Sequence, residues 1–474
     1  MLLAAPSGTS RASGATGFRR YHIETCEAKD VARHPSRFRV EVRKHRLIGM
    51  VLRELLFEYR GHPQVALSRP CVYGVFERAV GGLAPRHELC VGCLRCTTQY
   101  PDVVQILPNP ERDRLGDAYL TPDLVDTILY EARSGRVPVR GAGYRGPFGG
   151  DGWDSMWTDM SEIVRPTRDG IHGREFISTS VDLGGRPAFL KFDEHGEPQQ
   201  PLPEVLSLPV PYLFDAPPPP LRSPCLLHVL ASAANAIESL AILPLADIVR
   251  LGLEGAHVAP LVAQGDWPLL SRIAGPRLIE LAGWDATRHA ELHHRFPGAA
   301  VTVRVPMDTD LVPLVAHGAR VFHLTADYHG RAGERFAMDL IRAAHDSLVA
   351  AGRREEVTLI GSGGIVAAEH VPKAILCGLD AVALDTAAWV ALQARFRGPC
   401  IEPAAARLEL PPFREAWGVQ RLLNLIAAWR DQLFEILGAM GLREVRRLRG
   451  EVGRCMFQKD LEDEAFSGIE GYGC

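Results

Sequence analysis

No run of apolar residues in this sequence approaches the roughly 20 needed to cross a bilayer, so no membrane span is expected. Charge of one sign is also lacking: 53 Lys and Arg stand against 57 Asp and Glu, a formal net charge of -4. That near balance argues against nucleic acid or an anionic membrane as a partner. The N-terminus lacks the basic region and long apolar stretch of a secretory signal, with only Met1-Leu2-Leu3-Ala4-Ala5 resembling one. Ten cysteines in 474 residues are too few for a disulfide framework. Three of them nevertheless crowd into seven positions, which points to metal binding in a reducing compartment and hence to the cytoplasm.

Material for a large core is present. Hydrophobic residues make up 46% and charged residues 23% of the chain, and the length allows two to four units. Residues 1–20, rich in Ser, Gly, Ala and Arg, read as a disordered tail, with a mitochondrial-type presequence as the alternative. Residues 21–70 form a helical N-terminal segment, in which Leu47, Met50, Val51, Leu55 and Tyr59 share one side of a docking helix. Residues 71–116 are short, punctuated by glycine and proline, and carry the cysteine cluster. In the lead-in 117–204, Thr121 caps and Pro122 opens a helix to Ser134, followed by a glycine-rich irregular stretch.

Beyond the prolines at Pro217–Pro220 the pattern becomes regular. Short runs, apolar on both faces, alternate with helical stretches: HVAPLVA from His257, RLIELAG from Arg277, AVTVRVP from Ala300, RVFHLTA from Arg320, VTLIGSG from Val357 and AVALDTA from Ala381. Such runs suit parallel strands covered by helices. LSLPVPYLF from Leu206 and CLLHVLA from Cys225 bring the count to eight. The expected fold is α/β: a (β/α)8 TIM-like barrel within residues 205–400, preceded by a small ferredoxin-like cysteine segment and followed by C-terminal helices in 401–474. A doubly wound open sheet is the alternative.

Cys90-Val-Gly-Cys93-Leu-Arg-Cys96 has the C-x2-C-x2-C spacing that lets one tight loop present three thiolates to a metal cluster. The ferredoxin run continues with x3-C-P; here Tyr100 stands where the last cysteine would be, before Pro101. One 4Fe-4S cluster with Cys71 as fourth ligand fits this pattern, and a zinc site is the alternative. Gly361-Ser362-Gly363-Gly364 follows a buried strand and precedes a helix expected to begin near Ala367. Together with Asp385-Thr386-Ala387 it forms the pair of late-strand turns where barrels bind phosphate. A packing turn is the plainer explanation. Gly141-Ala142-Gly143-Tyr144-Arg145-Gly146 matches the dinucleotide fingerprint, but Pro147 and its neighbours leave no room for the helix it requires.

The run TLIGSGGIVAAEHVPKAILCGLDAVALDTAAWVAL from Thr358 resembles the flavin-phosphate region of the glutamate synthase FMN domain. Gly363 and Gly364 match the family's glycine pair, Lys373 and Ala374 its lysine–alanine step, and Thr386, Ala387 and Ala388 its turn. RPTRDGIHGREFISTSVDLGG from Arg165 and LREVRRLRGEVGR from Leu442 are similar to stand-alone members that carry a ferredoxin-like segment. The resemblance implies FMN at the C-terminal mouth of the barrel, its phosphate held by Ser362, Gly363, Gly364, Thr386 and Ala387. Arg304, in place of the family's strand-five lysine, would polarise the ring. It further implies reductive amination of the small-molecule substrate 2-oxoglutarate to glutamate, with electrons from a separate donor protein or reductase subunit through the cysteine cluster.

The chain departs from the family in several places. Thr325-Ala326-Asp327-Tyr328-His329-Gly330-Arg331 replaces the G-G-T-G-A-type loop after strand six, and Asp385 stands where the family has glycine. Only Cys400 follows the last strand, and no cysteine occupies position two for a glutaminase half. His329-Gly330-Arg331 resembles the corresponding turn of flavin-dependent 2-hydroxy-acid oxidases, in which the histidine removes a proton. This makes His329 the candidate base and Asp327 the candidate residue orienting it. The alternatives to the main reading are therefore a non-catalytic iron–sulfur electron-transfer subunit with a degenerate barrel, or an oxidoreductase of that 2-hydroxy-acid type.

Overall fold

The computed structural model describes residues 21–32, 34–60, 62, 71–77, 83–112, 115–138, 149–158, 177–186, 189–199, 205–397 and 407–470. The expected tail 1–20, the Gly141–Gly146 run, the stretch from Arg165 as far as residue 176, and Cys400 lie outside the described residues.

Eight parallel strands close a barrel: β1 (Tyr212–Phe214), β2 (Ala241–Pro244), β3 (Val258–Val262), β4 (Leu278–Ala282), β5 (Ala300–Pro306), β6 (Val321–Thr325), β7 (Thr358–Ser362) and β8 (Ala381–Leu384). They neighbour one another in chain order, and β8 pairs back onto β1 through Val382–Tyr212, Ala383–Leu213 and Leu384–Phe214. The open sheet is thereby excluded. β8 is buried at every position because side chains fill the barrel inside and helices cover it outside.

Two strand assignments differ from expectation. LSLPVPYLF supplies β1 only through its second half. Leu206–Leu208 pairs outside the barrel with Val181–Leu183. CLLHVLA is a helix, Pro224–Ala236, because Ser223 accepts a hydrogen bond from the Leu226 N–H, Pro224 fixes the first turn, and alanines follow. It buries Leu226, Leu227, Val229, Leu230, Ala233 and Ala234 between the barrel and the helix Glu415–Ala439, and leaves Ser232 and Asn235 exposed. The missing strand is Ala241–Pro244, four buried residues too short to show a period. The helix Pro122–Ser134 is capped at Thr121, which accepts from Leu124 N–H, and ends at Gly135 with φ +68°.

The helix Glu415–Ala439 also packs on Pro122–Ser134 and buries Arg421, Asn424 and Trp429. Those polar side chains receive residues 21–32, which have no regular structure of their own. Arg421 donates to Ala28 O (3.0 Å) and to the Asp30 carboxylate (2.7 Å). Asn424 Nδ2 donates to Cys26 O (2.8 Å), and Gln393 Oε1 accepts from Val31 N and Ala32 N. Side chains thus satisfy the backbone groups that a sheet or helix would otherwise pair.

The cysteine-bearing part has a small core of its own. Phe38–Val42 pairs antiparallel with Val104–Pro108, and Val40, Leu47, Val75, Phe76, Val103 and Val104 pack with Cys90. The helix Lys44–Arg53 places Leu47 in this core, with Met50 and Val51 partly buried against it. Among the described residues no helix is long and apolar enough to cross a membrane.

Candidate active site

At the C-terminal ends of the strands, four ionisable side chains meet inside the barrel. Arg304 on β5 forms a two-pronged pair with Asp215 just past β1, Nη1 to Oδ1 2.7 Å and Nη2 to Oδ2 2.8 Å. Its Nη1 also donates to Glu280 Oε1 on β4 (2.9 Å), and Glu280 Oε2 lies 3.0 Å from His323 Nδ1 on β6. Burial pushes the Asp215 carboxyl upward, but the Arg304 guanidinium and His323 outweigh it and hold it at about 2. Glu280 is likewise held below the usual carboxylate range, its burial outweighed by His323 and Arg304. The guanidinium expected to face a cofactor ring is therefore committed to two carboxylates.

Asp385, just past β8, is buried, and its Oδ1 accepts the N–H of Thr386 at 2.5 Å. Burial, reinforced by the Asp215 charge, raises its carboxyl to about 7. The hydroxyl of Thr386 is buried with no hydrogen-bond partner, and so is His323 Nε2. Ser362 and Ala387 are buried beside them at the ends of β7 and β8.

The Gly363–Gly364 turn has a second structural task. Both residues have positive φ, +94° and +70°. A Cβ at Gly363 would lie 2.6 Å from the carbonyl oxygens of Ala326 and Asp327, and one at Gly364 would lie 2.4 Å from Gly330 Cα. The β7 turn is thus pressed directly onto the loop after β6, so glycine is required by packing as well as by backbone angle. From above, Tyr119 Oη (2.5 Å) and Trp153 Nε1 (3.0 Å) both donate to Gly364 O. Lys373 of the lysine–alanine step donates to Trp153 O at 2.5 Å. The following helix begins at His370, three residues later than expected.

The loop after β6 also brings His329 to the mouth, and its partner is one the sequence did not reveal. His329 Nε2 lies 2.6 Å from Asp117 Oδ2, both side chains being partly exposed. Asp117 is 212 residues away in the chain, so no local spacing could have linked the two. Asp327, expected to orient the imidazole, instead accepts the backbone N–H groups of His329 (2.9 Å) and Arg331 (2.7 Å). It shapes the turn, and Asp117 holds the ring.

Cys90 is buried, Cys71 and Cys96 are half-buried and Cys93 is exposed. Burial raises the Cys90 thiol, and the nearby Cys96, Cys93 and Cys71 add to that rise, so the four share one neighbourhood. Among the described residues no group of three or more His, Cys, Asp or Glu is drawn close enough to hold a metal ion.

The family described as a conserved region in glutamate synthase matches residues 331–443, from the β6 loop through β7, β8 and the whole helix Glu415–Ala439. An archaeal-type glutamate synthase [NADPH] of Dehalococcoides mccartyi is 26% identical over 448 residues, covering 77% of this chain and 86% of that one. In sequence the chain is similar to the glutamate synthases over most of its length. An archaeal glutamate synthase [NADPH] of Methanocaldococcus jannaschii is 38% identical over a shorter stretch, 26% of each chain. A solved mutant flavocytochrome b2 with pyruvate bound matches over 63% of this chain and 86% of that one at 11% identity and a TM-score of 0.39, too low to carry weight. The architecture rests instead on the strand pairing described above.

Proposed function

We propose that this chain is a flavin-dependent oxidoreductase of the glutamate synthase kind, with FMN at the C-terminal mouth of the barrel. The observation that carries the proposal is the pair of buried, unpartnered polar atoms there, Thr386 Oγ1 and His323 Nε2, which a bound polar group would satisfy. Thr386, with the Gly363–Gly364 turn, would hold the phosphate end, and Arg304, steadied by Asp215 and Glu280, would lie toward the ring. FMN when bound supplies hydride transfer after accepting electrons singly. Cys90, Cys93, Cys96 and Cys71 would hold a 4Fe-4S cluster that passes such electrons, supported by the C-x2-C-x2-C spacing and the shared neighbourhood of the thiols.

The protein's own proton chemistry falls to His329. Its Nε2 is tied to Asp117, which leaves Nδ1 to face a substrate proton, and the Asp117 carboxylate steadies the imidazole in whichever charge state it holds. The substrate by relationship is 2-oxoglutarate with an ammonia source, and the electrons come from a separate donor protein or reductase subunit. This chemistry belongs in the cytoplasm, where thiols stay reduced.

Anaerobic purification, FMN addition, and iron and sulfide analysis test the reading. Stoichiometric flavin is expected, bleached by a reductant and restored by 2-oxoglutarate with ammonium. A protein that takes up iron but no flavin under any condition would overturn it in favour of an electron-transfer subunit.

A further inference from the structure

Just past β8 the chain buries a carboxylate, Asp385, and the structure shows what that carboxylate occupies. Its Oδ1 takes the Thr386 N–H (2.5 Å), the donor an incoming phosphate would use at this turn. The Thr386 hydroxyl beside it, 1% exposed, is left with no partner. The charges facing Asp385 do not neutralise it. Asp215 lies next to it, since Asp215 N–H donates to Leu384 O (2.9 Å), and it repels a second anion. Arg304 is the nearest cation, but it is already shared between Asp215 and Glu280. Tyr119 faces the same region from the lead-in, and burial raises its phenol far above neutrality, so it contributes no charge. His323 shares its Nδ1 side with Glu280.

A phosphate entering here therefore meets a carboxylate that already holds its amide, beside a second carboxylate that is permanently charged. Two anions can share such a buried site only if one of them carries a proton. A protonated Asp385 reverses its role, because its O–H can donate to a phosphate oxygen and its neutral carbonyl holds the amide more weakly than the carboxylate did. We propose that Asp385 is a proton-linked latch on the mouth of the barrel: an anionic ligand group binds at Thr386 only as Asp385 takes up one proton and releases the Thr386 amide. This rests on the flavin reading for its natural ligand. The neutral range in which the carboxyl titrates, near 7, places the latch at physiological pH.

The test compares FMN with riboflavin, which lacks the phosphate, by flavin fluorescence quenching between pH 7 and 9, where the phosphate is already doubly ionised. For FMN the Kd is expected to rise by up to tenfold per pH unit, while for riboflavin it stays level within twofold. Calorimetry at pH 8 in buffers of different ionisation enthalpy is expected to show uptake of about one proton per FMN bound. D385N, close in shape and uncharged, should bind FMN with a flat pH profile and no proton uptake. T386V should weaken FMN about tenfold at every pH while keeping the slope. Equal slopes for FMN and riboflavin, or a slope retained in D385N, would sink the latch while leaving a flavin site intact. Failure of wild type, D385N and D385G to bind either flavin, with each still folded by circular dichroism, would instead overturn the flavin reading and the latch with it.

Discussion

Arg304 shows how much a single side chain can carry. The sequence placed a cation on β5 facing the mouth, and the structure places it there with Asp215 and Glu280 already attached. Truncating one member of a buried ion network leaves the others unpaired, which costs about 3–5 kcal/mol. Arg304→Ala should therefore lower the midpoint of urea unfolding sharply, with or without flavin. Asp385 acts in the opposite sense. Its native value of about 7 lies above the ordinary carboxyl value of about 3.9, so its contribution to stability is fully present at low pH and lost as pH rises toward 7. Asp385→Asn should thus stabilise the protein by roughly 2–4 kcal/mol at pH 8 and by little near pH 4, as read from unfolding curves at the two pH values. His329 and Asp117 form the pair whose effect should appear in catalysis. Asp117→Asn is expected to lower kcat by about 100-fold with KM nearly unmoved, and to alter the pH profile of the rate. An unchanged profile would reduce Asp117 to a packing role.

Among the elements, the β6 and β7 loops act as one piece. Ala326 N–H donates to Ser362 O (2.9 Å), and a Cβ at Gly364 would press on Gly330, so the two turns meet backbone to backbone. Gly364→Ala forces a Cβ onto Gly330 Cα at a φ of +70° and should cost about 2–4 kcal/mol, measurable by thermal unfolding. Six of the eight barrel strands, and β1 in part, were legible because short runs apolar on both faces are unusual outside covered parallel sheets. Ala241–Pro244 was hidden because four residues hold no period. Cys225–Ala231 misled because the exposed polar residues of the helix, Ser232 and Asn235, lie just beyond a seven-residue window that is as apolar as a buried strand. At the site, the glycines could be read from their local pattern. The Arg304–Asp215 and His329–Asp117 pairs could not, because each depends on barrel closure or on the lead-in folding over the mouth.

Among the described residues a large core and a small one contrast in size. The barrel with its long C-terminal helix forms the larger, and the thiol-bearing segment around Val40, Leu47 and Phe76 forms the smaller. A small core with half-buried thiols has little apolar surface to hold it together, so a bound cluster would contribute to its folding. Cys71→Ser is accordingly expected to lose the iron and to loosen residues 71–112 in hydrogen exchange, leaving barrel protection unchanged. Cys26→Ser, on the far strap, should keep the iron.

That strap sets a timetable for biosynthesis. Asp30 finds its partner Arg421 across 391 residues of chain. At ribosomal speeds of about 5–20 residues per second, the nascent segment waits roughly 20–80 seconds for the helix that receives it. Within that interval the Ala28 N–H meets its acceptor, Arg133 O (2.8 Å), early, whereas the Val31 and Ala32 amides wait for Gln393 and the Ala28 carbonyl for Arg421. Lacing the earliest described residues onto Arg421 must therefore follow synthesis of every barrel strand, and a ribosome stalled before Arg421 would hold a barrel still untied there.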